Sequence, residues 1–248
     1  METKSKTRCY GDKIDIDSTE VKDFWQKRAE NAKELNSVLL GNQKDAQHGV
    51  MRNNHEQELL FDLLGDFDNI SILDIGCGIG RWADNFSGLT DKKFDYTGID
   101  MCENFTLSNN ERFADFDNIR FFTMPADIMD FDKLRTNYDL IIVNGVMMYI
   151  NDENLKKVFQ NIAKFAPKNV YLQESVTTIN ERLTLDKFYS EELDTNYSAI
   201  YRTPQDYERF MQEFLPNYKV VKTELMLDDK TGARKETNAQ YWFLGVNV

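Results

Sequence analysis

From about residue 55 onward, short apolar runs alternate with stretches whose apolar positions recur at helical spacing. The runs at 71–75, 96–100, 119–123, 140–144 and 170–174 read as strands, since a continuous apolar run bounded by turn residues suits a strand covered on both faces. Between them helices are expected, notably from Arg81 and over 151–165, where the pattern stops before Pro167. Thr203-Pro204 opens another helix with proline at its first position. Two last strands, 218–227 and 239–246, flank a short turn containing Thr231-Gly232 and are expected to pair antiparallel. The expected fold is α/β: a seven-stranded, mostly parallel, doubly wound sheet with helices on both faces and a C-terminal antiparallel strand pair.

The first 54 residues follow a different pattern. Residues 1–16 are polar and mixed in charge, and read as a loose arm or flap. Asp17 then caps a helix with Glu20 at its third position, and Val21, Phe24, Trp25, Arg28, Ala29, Ala32 and Leu35 form its stripe. That stripe serves either to pack the helix or to lay it over a ligand as a lid. The polar stretch 41–54 leads into a helix ending in LLFDLL, which Gly65 caps. The expected division is an N-terminal arm and helical lid over 1–54 and one domain over 55–248, with a tyrosine-rich insertion at 180–202.

Composition narrows the partners. With 30 basic and 42 acidic residues among 248, the net charge is −12, which argues against nucleic acid or an anionic membrane. No apolar run approaches the ~20 residues of a membrane span, and the N-terminus lacks a signal-like apolar segment, so a cytoplasmic protein is expected. Cys9, Cys77 and Cys102 show no CxxC spacing, and His48 and His55 form no ligand motif, so no metal site is suggested.

The densest chemical signal is LDIGCGIGRW at 73–82, a strand running through glycines into a helix. Such a turn lets a ligand approach the backbone and aims free amides at it. A dinucleotide fingerprint would need glycine at 81, where Arg81 stands, which disfavours a nicotinamide oxidoreductase. Asp74, two residues before the first glycine, would repel a pyrophosphate and suit an ammonium or sulfonium, so the ligand expected is a cationic adenosine derivative. The acid of YTGID, Asp100, falls at the end of the next strand, where a carboxylate accepts hydrogen bonds from ribose hydroxyls. Glu174 ends the fifth strand at the edge where open α/β sheets bind ligands.

In order and spacing, residues 55–248 resemble the class I S-adenosylmethionine-dependent methyltransferases. The resemblance implies that the backbone of Gly76, Cys77 and Gly78 holds the methionine part of S-adenosylmethionine, with Asp74 near its ammonium and Arg81 toward its carboxylate. It further implies that Asp127 and Ile128 of PADI meet the adenine, with Met101 on the other face. It places the backbone at Asn144 beside the cofactor and Tyr149 near the methyl group or acceptor. Trp25 is expected over the ligand, and Tyr201 and Arg202 among the acceptor-binding elements. Glu174 and His48 are the candidate bases if the acceptor needs one. The N-P-P-Y or D-P-P-Y signature of nucleobase-amino methylases is absent. The FWxxRA, GIGRW and AIYR segments are similar to bacterial methyltransferases of sugars, capsule precursors and secondary metabolites.

The function this implies is methyl transfer to an oxygen or nitrogen of a small polar acceptor, leaving S-adenosylhomocysteine, by a monomer or homodimer that uses no metal, nucleic acid or membrane. A noncatalytic cofactor-binding regulator and a protein methyltransferase stay open as alternatives.

Overall fold

The computed structural model describes residues 7–30, 35, 38–39, 46–191, 193–227 and 234–246. In chain order its main elements are β1 (Arg8–Tyr10), α1 (Ser18–Ala29), α2 (Ala46–Leu64), β2 (Ile70–Ile75), α3 (Arg81–Ser87), β3 (Phe94–Asp100), α4 (Glu103–Arg112), β4 (Ile119–Thr123) and β5 (Leu140–Asn144). Then follow α5 (Asp152–Lys164), β6 (Asn169–Thr177), β7 (Leu183–Ser190), β8 (Thr195–Tyr201), α6 (Pro204–Phe214), β9 (Tyr218–Leu225) and β10 (Thr237–Val246). Seven strands form one sheet in the order β4-β3-β2-β5-β6-β10-β9. The first five are parallel, and β10 inserts antiparallel between β6 and β9. The doubly wound sheet and its antiparallel end are therefore as the hydrophobic pattern predicts; the Thr231-Gly232 turn lies outside the described residues.

Strand side chains alternate between the two faces. On one face Leu73 and Ile75 join Ile141, Val143 and the α5 stripe of Leu155, Val158, Phe159 and Ile162. On the other, Ile72 and Tyr96 pack with Leu60 of α2 and with Trp82 and Phe86 of α3. Both faces are covered, which is why the parallel strands are continuously apolar. Among the described residues, no helix is long and apolar enough to cross a membrane.

The N-terminal region departs from expectation. Part of the supposed loose arm is β1, which pairs antiparallel with β7, and β7 pairs with β8 in a separate three-stranded sheet. The tyrosine-rich 180–202 segment is thus a β-hairpin of β7 and β8. Asp17 does cap α1, accepting from the N–H groups of Thr19 and Glu20. The expected extension of its stripe to Ala32 lies outside the described residues. The boundary expected after residue 54 falls inside α2, one continuous helix that begins within the supposed polar stretch and is capped by Gly65 at φ +64.

Candidate active site

The carboxyl ends of β2 to β5 open onto a cavity of about 410 Å³. Four segments build its floor. The turn after β2 contributes Gly76 and Gly78, the end of β3 contributes Asp100 and Met101, the turn after β4 contributes Met124 through Ile128, and the end of β5 contributes Asn144 through Val146. The roof comes from α1, through Ser18, Val21, Lys22 and Trp25.

The glycine turn is fixed by packing as well as by hydrogen bonds. Gly76 has φ +77, and a Cβ there would sit 2.2 Å from a methyl of Val146, so only glycine lets the β2 and β5 turns meet. Its N–H and that of Cys77 both donate to the Ile99 carbonyl, at 2.7 and 3.0 Å. The Asp100 carboxylate accepts from Gly78 N–H at 3.0 Å and Cys102 N–H at 2.8 Å, one on each oxygen. A carboxylate has about four acceptor positions, so two remain for hydroxyl groups in the cavity. Burial pushes the Asp100 carboxyl above its ordinary range, against the pull of those N–H groups. At the far end Met101, Phe105, Met124, Pro125 and Ala126 line an apolar slot, and Ile128 lines it while remaining 68% exposed. Gly145 has φ +69, and a Cβ there would meet nothing within 4 Å, which leaves the backbone at the β5 end open to a ligand.

Trp25, Gly76, Gly78, Asp100, Met101, Asp127, Ile128, Asn144 and Tyr149, all expected from the sequence, therefore converge on one cavity. Cys77 lies in the same turn, buried, with its thiol pushed well up by burial.

The remaining expected residues stand elsewhere. Asp74 does not line the cavity; it points to the α2 and α3 face, where Tyr96 donates to it at 2.5 Å, and burial raises its carboxyl to about 7. A direct contact with a ligand ammonium is thus not what this geometry offers. Arg81, expected near a ligand carboxylate, instead pairs with buried Glu56 at 2.6 Å and donates to Asn53 at 3.1 Å. Glu56 also accepts from Arg52, Gln173 and Asn144, and although burial opposes it, Arg81 and Arg52 hold its carboxyl down at about 2. Sequence reading missed this network; the signal was an acid on α2 one helical turn after Arg52, which by itself is common on a solvated helix.

Glu174 is not an acceptor-facing base. It is 1% exposed and accepts from the N–H groups of Val146, Met147 and Met148. Arg202 does not reach the cavity either: it is 1% exposed, pairs with Asp152 at 2.6 Å and donates to the Met147 and Ile150 carbonyls. Tyr201 is buried behind Tyr149, its hydroxyl 3.0 Å from that of Tyr197. His48 lies on α2, and its side chain is outside the described residues. In front of Tyr201, Tyr149 meets Trp25 edge to face, with ring centres 5.2 Å apart. Burial pushes its phenol well above the ordinary range, so it is neutral.

Comparison with known proteins agrees with this layout. Residues 72–169 match a family model described as a methyltransferase domain. A Leishmania major S-adenosylmethionine-dependent methyltransferase superposes with a TM-score of 0.66 at 17% identity, over 92% of this chain and 82% of that one. A Haemonchus contortus phosphoethanolamine N-methyltransferase, solved with phosphoethanolamine and S-adenosylhomocysteine, gives 0.68 at 19% identity over 92% and 48%. These likenesses establish the methyltransferase fold. By sequence, a maize phosphoethanolamine N-methyltransferase is 26% identical over 65% of this chain. The match spans only 30% of that relative's length. A Rickettsia bellii ubiquinone biosynthesis O-methyltransferase is 24% identical, over 73% of this chain and 77% of its own.

Proposed function

We propose that this protein is an S-adenosylmethionine-dependent methyltransferase acting on an oxygen or nitrogen of a small polar metabolite. The observation that carries the reading is the convergence of Asp100, the Gly76–Gly78 turn and the 124–128 turn on one cavity at the carboxyl ends of parallel strands. The residues fit the cofactor part by part. Asp100 keeps acceptor positions for the ribose hydroxyls, and the apolar lining from Met101 to Ile128 suits an adenine ring, with Asp127 among the same lining residues. The open backbone at Gly145 and the glycine turn leave room for the methionine part.

When bound, S-adenosylmethionine supplies an activated methyl group on sulfur with a neutral leaving group. The residues of this chain then have to bind, align and shield. Trp25 and Val21 roof the cavity and keep water from the transfer site. Tyr149, neutral and facing the cavity, orients the acceptor atom toward the methyl group. Alignment of this kind can supply about 7–11 kcal/mol of barrier lowering. Glu174, expected from the sequence as a base, does not serve as one in this reading, since it is spent on backbone N–H groups, and no base is required for a neutral amine.

The relatives that act on phosphoethanolamine and on ubiquinone precursors support a small acceptor, and the sugar or capsule-precursor subgroup suggested by the FWxxRA and AIYR segments belongs to the same proposal. Titration calorimetry is expected to give micromolar-range binding of S-adenosylhomocysteine, about −8 kcal/mol, and none of NAD. Labelled methyl transfer to a panel including phosphoethanolamine, phenols and sugar nucleotides identifies the acceptor. Preferential NAD binding would overturn the reading.

A further inference from the structure

The turn at 145–150 carries the cavity wall from the cofactor side, at Gly145 and Val146, to Tyr149 and Ile150. It is too short to fold on its own account, with internal bonds only from Tyr149 N–H to the Val146 carbonyl at 3.0 Å and from Ile150 N–H to that of Met147 at 3.2 Å. Gly145 N–H donates to the Gln173 carbonyl at 2.8 Å, and two buried charged side chains, one from β6 and one from just past β8, take up most of the remaining backbone groups. From β6, Glu174 Oε1 accepts from Val146 N–H at 2.9 Å and Met147 N–H at 2.8 Å, and Oε2 from Met148 N–H at 3.2 Å. From the residue just after β8, Arg202 Nη1 donates to the Met147 carbonyl at 2.8 Å and Nη2 to that of Ile150 at 2.6 Å. The guanidinium is itself fixed by Asp152, which Arg182 also grips at 2.9 Å. Three donors of the turn thus go to an acid and two of its acceptors to a base. Such buried backbone groups have no water to turn to, so the pair dictates the turn's shape.

Tyr149 carries the one polar side chain of this turn, and its ring is about nine-tenths buried and lines the cavity. A phenol joins an apolar body to a polar tip, so a tyrosine on a cavity wall is placed to meet a ligand there.

We infer that Glu174 and Arg202 are positioning residues that clamp the 145–150 turn from opposite sides and set the Tyr149 hydroxyl against the bound acceptor. The inference rests on the methyltransferase reading for the identity of that ligand, and on the geometry alone for the clamp. Neither residue touches the cavity, and Asp100, Gly78 and Asp127 are independent of both. Loosening the clamp therefore disturbs mainly the acceptor wall at Tyr149, while Asp100, Gly78 and Asp127 keep their part of the cofactor site. The charged or titratable groups facing Glu174 are the Arg202 guanidinium, just past β8, and the neutral phenols of Tyr207 from α6 and Tyr149 from the turn itself. Burial of the Glu174 carboxyl raises it to about 7, against the three N–H groups and Arg202, so the clamp is pH-sensitive near neutrality.

The test compares full-length wild type, Glu174→Gln and Arg202→Lys by calorimetry with S-adenosylhomocysteine, by amide exchange, and by the Tyr149 ring signals in aromatic NMR across the neutral pH range. In Glu174→Gln, exchange at Val146, Met147 and Met148 is expected to rise ~10-fold beyond any change in the rest of the domain. The Tyr149 signals, pH-dependent near neutrality in wild type, become flat, while affinity for S-adenosylhomocysteine stays within ~3-fold. Arg202→Lys keeps the charge and loses the fork, so it loosens the same amides to a smaller extent and serves as the second reading if the Gln variant does not fold. Unchanged turn amides and Tyr149 signals in a folded variant would overturn the clamp. Affinity lost in step with the turn would overturn its assignment to the acceptor side. Wild type that fails to bind S-adenosylhomocysteine overturns the methyltransferase reading, and the amide and ring measurements still decide the clamp.

Discussion

Asp100 and Asp74 stand in consecutive parallel strands and illustrate how burial separates the fates of two similar acids. Asp100 faces the cavity with spare acceptor positions. Replacing it by Ala is expected to weaken S-adenosylhomocysteine binding by about 1–3 kcal/mol, because ribose hydroxyls lose their acceptor and two backbone N–H groups are orphaned. Asp100→Asn, which keeps one oxygen, should lose less, and calorimetry on the pair checks both. Asp74, one face away, is held at about 7 by burial, which outweighs the Tyr96 hydrogen bond and the attraction of Arg81. An unfolded aspartate titrates near ~3.9, so between that value and about 7 the native state holds a proton that the unfolded chain has released. Stability therefore falls as pH rises through this window. Glu174, also raised to about 7, acts in the same direction. Glu56, held at about 2, does the opposite: its contribution is present above an ordinary glutamate's pKa and lost only as pH falls toward 2. Urea unfolding at a series of pH values is expected to show a shallower decline from about pH 4.5 to 7 in Asp74→Asn than in wild type. An equal slope in the two would mean that Asp74 titrates as an exposed acid.

At the scale of elements, legibility in the sequence followed the range of the interactions that fix each one. β4 and β5 match their expected limits, and α5 and α6 start within one residue of theirs, because local signals set them: an apolar run, a proline at the first helical position, Thr203 with Asp206 as a reciprocal cap. The residues that line the cavity at the strand ends were legible for the same reason, since strand ends of a parallel sheet share one edge. β1 was not legible, because a three-residue strand exists only through its pairing with β7 far along the chain. Likewise nothing local announces that Arg81 meets Glu56, or that Glu174 turns inward to three backbone N–H groups. A long-range contact also anchors the roof. The Asn151 side chain accepts from Ile16 N–H at 2.9 Å and donates to the Ile16 carbonyl at 2.8 Å, which fixes the chain just before α1. Asn151→Ala removes both bonds at no cost to the sheet. It is expected to raise amide exchange through α1 and weaken S-adenosylhomocysteine binding about tenfold, or ~1.4 kcal/mol; unchanged exchange in α1 would show that the aromatic packing of the helix suffices alone.

The molecule as a whole is a rigid sheet with a cover built from both halves of the chain. Ile16, Val21, Phe24 and Trp25 pack against Tyr149, Tyr197 and Tyr201, forming a third apolar cluster distinct from the two on the faces of the main sheet. β1 is tied to the segment just before β10, where Glu236 pairs with Arg8 and accepts from Tyr10 at 3.1 Å. None of these N-terminal residues supplies a strand to the seven-stranded sheet. Deleting residues 1–30 should therefore leave a cooperatively folded core, since both faces of that sheet keep their helices. It should also strip Ser18, Val21, Lys22 and Trp25 from the cavity wall and expose the apolar side of the β7–β8 hairpin. The expected outcome is a cooperative melt with native far-ultraviolet dichroism, S-adenosylhomocysteine affinity lowered at least ~10-fold, and methyl transfer abolished, because water then reaches the transfer site and the acceptor loses one wall. Exposure of Tyr149 and Tyr197 would also raise the tendency to associate, which light scattering detects. A truncated protein that binds S-adenosylhomocysteine as tightly as the full chain would mean that the strand ends alone hold the cofactor, and that α1 acts only on the acceptor.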